Sequence, residues 1–193
     1  METRLHLPIF PLNTVLFPGG VLPLKIFEQR YLDMTKRCLR DESPFGVCLI
    51  SEGQEVGKPA LPADVGSIAR ITQWDMPKLG IFHLITRGED RFRVLTAQPQ
   101  PDGLLMGEVV RLDPEPATAV AQRHQPCIDV LRRLVENLGE EHFPGPHAFE
   151  DATWVGYRLA ELLPLDLMEK QRMLVANDPI GRLDRILHLL KRG

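Results

Sequence analysis

Four prolines interrupt the most hydrophobic stretch of the chain, LPIFPLNTVLFPGGVLPLKIF at residues 7–27. The stretch is about as long as a membrane-spanning helix. Yet Pro8, Pro11, Pro18 and Pro23 each lack an N–H, and Asn13, Gly19, Gly20 and Lys25 break it further. A helix with so many missing donors cannot satisfy its backbone in lipid. The same residues suit two short buried strands around a tight Phe17-Pro18-Gly19-Gly20 turn, a paired-strand opening. No membrane partner is expected.

The period changes immediately afterwards. In residues 26–40, Phe27, Tyr31, Met34 and Cys38 recur as one stripe of an amphipathic helix, with Glu28 and Asp33 early and Lys36, Arg37 and Arg40 late. Pro44 and Gly46 end it. Strand-like segments follow at 46–50, 66–74, 80–88, 90–97 and 105–112, separated by Gly, Pro and Asp turns. In 90–97, Phe92 and Val94 alternate with Arg91 and Arg93, which predicts one buried and one wet face.

Of the 17 prolines and 15 glycines, 22 lie in the first 116 residues. The remainder reads as helix. Past Pro126, the residues Cys127, Leu131, Leu134 and Leu138 form a stripe, Asp129 faces Arg133, and Gly139 suits a stop. Asp151 is placed to cap a helix with Val155, Leu159 and Leu162 inward. Asp166 with Glu169 resembles a capping box. Asn177-Asp178-Pro179 opens a last helix with Leu183, Ile186, Leu187 and Leu190 inward and Lys191-Arg192 at its end. The expected plan is α+β, with a β-rich part over 1–116 and an all-helical part over 117–193.

A formal net charge of −3 and a pI near 6.1, with no basic run longer than two residues, argue against nucleic acid as a partner. Arg87, Arg91 and Arg93 beside Phe92 are the nearest thing to a phosphate-binding patch, and Glu89 and Asp90 interrupt it. Cys38, Cys48 and Cys127 form no C-x-x-C pair, so neither a disulfide framework nor a zinc knuckle is expected. METRLH at the start is charged and followed by prolines, which suits no signal-peptide core. The expected setting is the reducing cytoplasm.

Catalytic motifs are not evident. GQEVGKP at 53–59 has too few residues between its glycines for a phosphate loop and carries Pro59 where a hydroxyl is needed. His142 and His147, with Glu140 and Glu141, sit in a Pro/Gly loop without the one-turn spacing of a zinc helix. His83 reads as a structural residue within a strand, and His188 as a partner of Asp184. Ser43, Ser51 and Ser67 lie beside no evident base, and no cofactor or metal is expected.

Four blocks stand in order along the chain: LPIFPLNTVLFPGGVLPLKIFEQRYLDM (7–34), VGSIARITQWD (65–75), GEDRFRV (88–94) and LPLDLMEKQRMLVANDPIGRLDRILHLL (163–190). They resemble, respectively, the opening signature, two strands and the closing helices of the Lon protease N-terminal, substrate-binding domain family, in particular its small stand-alone bacterial members. The resemblance implies a PUA-like β pseudobarrel with one early helix, followed by a helical bundle. It also implies a domain that in Lon precedes an ATPase and a Ser-Lys protease module, and that recognises unfolded protein. No catalytic residue is carried over, and 193 residues leave no room for either module.

The resulting expectation is a non-enzymatic module binding unfolded or hydrophobic polypeptide, with a separate ATPase or protease as a further partner. Candidate contact residues are Trp74, Met76, Pro77 and Leu79 in the turn between two strands, and Phe27 with Tyr31 on the early helix. The alternatives are an RNA-binding PUA-like protein and an enzyme with a dispersed site.

Overall fold

The 7–27 stretch forms two strands, β1 (Arg4–Leu12) and β2 (Val21–Ile26), around a Phe17–Gly20 turn closed by the Gly20 N–H donating to the Phe17 carbonyl at 2.9 Å. Those strands do not pair with each other, which corrects the paired-strand expectation. β1 runs parallel to β3 (Phe45–Glu52) and antiparallel to β6 (Leu105–Arg111), whereas β2 lies antiparallel on β5 (Ile81–Pro99). The turn itself explains the divergence. Gly19 N–H donates to Gly88 O at 2.7 Å and Gly88 N–H to Gly20 O at 2.8 Å, so the turn docks on β5 and directs β2 along it. A Cβ at Gly88 would come within 2.2 Å of the Phe17 carbonyl oxygen, so the crossing demands glycine. Nor is β2 wholly buried, since Pro23 and Lys25 face solvent.

The structure, a computed structural model, describes residues 4–58, 60–139, 143 and 145–191. With β4 (Leu61–Lys78), the sheet order is β2-β5-β4-β3-β1-β6, and a further β5–β6 pairing closes it into a barrel. The segments expected as separate strands at 80–88 and 90–97 are one strand, β5. Residues 82–87 of it pair with β2 and residues 92–99 with β6, so it changes neighbours around Gly88. A bulge on β5 between Gly88 and Arg91, opposite Ala69 and Ser67 of β4, accompanies that change.

The barrel core combines Phe10, Ile26, Phe45, Phe82 and Leu84 with Tyr31, Met34 and Cys38 of helix α1 (Gln29–Arg40). Phe27 leaves the predicted stripe: it precedes the helix and is 53% exposed. A second cluster of Ile9, Ile68, Phe92 and Val109 fills the other end. Arg91 is buried with Phe92 rather than wet, because its strand lies between β4 and β6 at that point.

The chain divides into one unit ending at Asp113 and another beginning at Pro114. The second contains a 3₁₀ turn (Gln122–His124) and helices α2 (Gln125–Leu138), α3 (Ala152–Leu162), α4 (Leu167–Val175) and α5 (Pro179–Leu190). Pro126 sits in the first turn of α2, where its missing N–H is harmless. The buried stripe of α2 is Cys127, Ile128, Leu131 and Val135, and Leu138 is exposed at its last position. Asp151, Asp166 and Asp178 cap their helices through the N–H groups of Thr153, Glu169 and Gly181. The expected capping box is only half made, because the Glu169 carboxylate bridges Arg172 at 2.6 Å and Arg185 at 2.7 Å instead. Arg192 lies outside the described residues. Together the barrel and the helices make an α+β fold.

Candidate functional site

The cysteines lie where thiol chemistry is suppressed. All three thiols are buried, and burial pushes each of them up, Cys127 to about 11. Cys127 follows His124 by one turn, and His124 Nε2 lies 2.7 Å from Asp184, the residue types of a cysteine triad. But a nucleophilic thiol needs a lowered pKa and access, and Cys127 has neither. Asp184 is held by Arg123 at 3.0 Å as well as by His124, a partner that sequence reasoning had assigned to His188. His83, expected as structural, points to solvent from β5. His142, Glu140, Glu141 and Pro59 lie outside the described residues, and among the described residues no His/Cys/Asp/Glu group could hold a metal. Burial of Arg91 and Phe92 dismantles the Arg87–Arg93 patch. No helix among the described residues is long and apolar enough to cross a membrane.

What the barrel does offer is apolar surface on either side of β2. One cavity of about 480 Å³ spans β2, β5 and β4. The cross-strand rows Pro23–Ile85–Gln73 and Lys25–His83–Asp75 line it, so apolar and polar groups alternate across the sheet. Trp74 lies in the next row, opposite Leu84, with its ring edge-on to Phe82 at 5.8 Å. It is 56% exposed, because β4 and β5 extend past the core there.

A second cavity, of about 250 Å³, is floored by the Phe10 and Tyr31 rings, stacked at 3.9 Å. Leu22, Leu24, Phe27 and Val56 form apolar walls, and Lys25, Glu28 and Glu55 give charged edges. Pro23, Leu24 and Lys25 belong to both cavities. Tyr31 is therefore buried as a floor rather than displayed on a helix face. Burial, opposed by the Arg30 guanidinium and reinforced by Glu28 and Glu55, pushes its hydroxyl up to about 12. Arg30 lies 4.7 Å from that ring, pairs with Glu28 at 2.9 Å and donates to Gly103 O at 3.2 Å.

The six residues singled out in the sequence are thus dispersed. Trp74 lines the first cavity, while Phe27 and Tyr31 line the second. Met76 packs half-buried against the core, and Pro77 and Leu79 protrude at the hairpin tip, Leu79 at 92% exposure. Sequence reasoning missed Leu22, Leu24, Glu55 and Val56. The alternation of Leu22 and Leu24 with Pro23 and Lys25 was a usable signal for the first pair. No local signal marks the second, since Glu55 reaches Asn13 across 42 residues of sequence.

Comparison with known proteins gives a consistent assignment. The family model for the ATP-dependent protease La (LON) substrate-binding domain matches residues 6–192. Lon protease 2 of Myxococcus xanthus is 30% identical over 198 residues, covering 96% of this chain and 23% of that protein. The Lon protease of Anaeromyxobacter dehalogenans is 29% identical over 197 residues with the same shares. The chain therefore spans under a quarter of the length of these curated relatives. Among solved structures, a Lon N-terminal domain protein from Xanthomonas campestris matches with a TM-score of 0.79 and 37% identity, over 95% of this chain and 98% of that one. The N-terminal domain of Mycobacterium avium complex Lon protease matches with a TM-score of 0.62 at 15% identity, a likeness of fold alone, over 95% of this chain and 96% of that one. On the extent of these matches, the chain belongs to the Lon substrate-binding domain family.

Proposed function

We propose that this chain is a non-catalytic cytoplasmic module that binds unfolded or hydrophobic polypeptide through the apolar surface flanking β2. The observation that carries the reading is the pair Trp74 and Phe27. Each is more than half exposed, and each stands at a cavity sharing Pro23, Leu24 and Lys25 with the other. Exposed aromatics over concave apolar surface with a charged rim are the composition of a recognition patch. Residues that protrude without a cavity, such as Leu79, contribute less in such patches than those that close over a ligand side chain.

The strand edges support recognition by side chains rather than by an added strand. β2 is a sheet edge whose central residue, Pro23, has no N–H to give. β4 is bulged between Asp75 and Lys78, where Pro77 again lacks a donor. Buried thiols with raised pKa values fit a reducing compartment and a module without covalent chemistry. A separate ATPase or protease would then act on the bound polypeptide.

The test is binding of a reduced, permanently unfolded test protein against its native form, followed by fluorescence anisotropy. The unfolded form should bind and the native form should not. Equal indifference to both would end this reading.

A further inference from the structure

We infer that the segment Gly53–Gly57 is a latched lid over the Phe10–Tyr31 cavity, and that Glu55 sets how readily polypeptide enters it. The inference rests on the preceding reading of that cavity as a polypeptide site. The segment joins β3 to β4 and is bounded by Gly53 at φ 103 and Gly57 at φ 97, both in the left-handed region that glycine adopts without strain. Open space surrounds the Cβ position of Gly57. A Cβ at Gly53 would lie 3.1 Å from Ala60, so that end is packed and the arm swings mainly about Gly57.

The burial pattern of the arm is inverted. From Ser51 to Lys58 the chain is exposed except at Glu55, which is half-buried, while its apolar neighbour Val56 is 56% exposed. Ordinary loops place the carboxylate in water and tuck the valine away. Here the Glu55 carboxylate accepts the backbone N–H of Asn13, at the end of β1, and Val56 lines the mouth of the cavity beside Phe27 and Tyr31. The latch holds an apolar side chain at the cavity mouth. A polypeptide side chain seeking the Phe10–Tyr31 floor must displace Val56, and with it the Glu55–Asn13 hydrogen bond. Asn13 is exposed, so water replaces the carboxylate once the arm lifts, and opening leaves no buried orphan donor. Because only open molecules bind, the apparent affinity is the intrinsic affinity multiplied by the open fraction.

The experiment uses the full chain as wild type, Glu55→Ala and Glu55→Gln, the last keeping an acceptor oxygen. Two quantities are read: amide exchange at Asn13 by NMR, and affinity for the reduced, unfolded test protein. In Glu55→Ala, exchange at Asn13 should accelerate while the Ile9 amide of β1 stays protected. Affinity should rise about three- to tenfold, as expected if the open arm is a minority state. Glu55→Gln should fall between the two. Adding unfolded protein to the wild type should itself speed exchange at Asn13. Faster exchange at Asn13 in Glu55→Ala with unchanged or weaker affinity overturns the lid. Failure of all three forms to bind unfolded protein overturns instead the functional reading on which the lid rests.

Discussion

The barrel unit and the helical unit treat their costly groups in opposite ways. In the helical unit the Arg182 and Glu115 side chains are both fully buried, joined by two hydrogen bonds at 2.6 and 2.9 Å. Arg182 also donates to Met173 O at 3.0 Å and Ala176 O at 2.8 Å, and its guanidinium lies 4.1 Å from the Tyr157 ring centre. Tyr157 in turn donates to Glu115 at 2.5 Å. Every arm of the pair is satisfied, as burial of charge requires. The barrel unit instead leaves apolar aromatics half out of the core, at Phe27 and Trp74. Among the described residues, the exposed large hydrophobics of the helical unit are Leu138, Met168 and Val175, none aromatic and divided between α2 and α4. One unit fixes its own packing with a closed polar network, and the other keeps unspent apolar surface facing solvent.

The contrast breaks most readily at the buried pair. Glu115→Ala strands the Arg182 charge inside the helices, and loss of one partner from such a pair costs about 3–5 kcal/mol. The two tryptophans give a means of seeing where, since Trp74 reports the barrel and Trp154 lies in α3. In a Trp74→Phe background, the urea midpoint read from Trp154 should fall sharply on introducing Glu115→Ala. A loss under about 1 kcal/mol would show that the network does not anchor the helices.

Next in size is Gly88→Ala. The added methyl group meets the backbone of Phe17, which cannot step aside as a flexible side chain would. Overpacking of this kind costs about 1–3 kcal/mol. The loss should appear in Trp74 fluorescence, in a Trp154→Phe background, as a lowered midpoint for the barrel. An unchanged midpoint would mean that the Phe17–Gly20 turn is not what directs β2 along β5.

That turn also marks how far the sequence could be read. The prolines and glycines of 7–27 identified two strands and a turn, because backbone restrictions are local. Which strand each would pair with depended on Gly88, 68 residues beyond Gly20 in the numbering, and no local rule reaches that far. The caps at Asp151, Asp166 and Asp178 were legible for the same reason that pairing was not: a cap joins residues two or three apart. At the candidate site, Trp74 was visible as an aromatic near a turn. The cavity beneath Phe27 was not, because α1 supplies Tyr31, β1 Phe10 and the β3–β4 connection Val56. Arg182 and Glu115 were invisible as a pair across 67 positions.

The exposed aromatics are predicted to be cheap for folding and dear for binding. Trp74→Ala with Phe27→Ala should change the barrel midpoint little, read from the urea dependence of amide protection at Ile9 of β1 because the Trp74 reporter is gone, since both rings are already more than half in water. Affinity for unfolded protein should drop about tenfold, or ~1.4 kcal/mol, measured by the same anisotropy titration. A double variant that loses stability but keeps affinity would reverse the assignment, making the rings structural and the binding surface another.

The smallest effect separates a surface ion pair from the buried one. Arg123, then His124, holds the Asp184 carboxyl down from 3.8 to about 2. A carboxyl whose folded value is depressed contributes stability that is complete above its unfolded value and disappears as pH falls through the folded one. Asp184→Asn should therefore lower the melting temperature of the helical unit slightly at neutral pH, and parent and variant should converge as pH drops from 3.8 to about 2. Asp184 and Arg123 are both about half exposed, at 48% and 57% of their side-chain surface, so solvent and salt screen the attraction. Added salt should accordingly shrink the Asp184→Asn difference while leaving that of Glu115→Ala nearly intact, because the Arg182–Glu115 pair is fully enclosed. A difference that persists unchanged to pH 2 would assign the role of Asp184 to packing or to its hydrogen bond with His124, independent of charge.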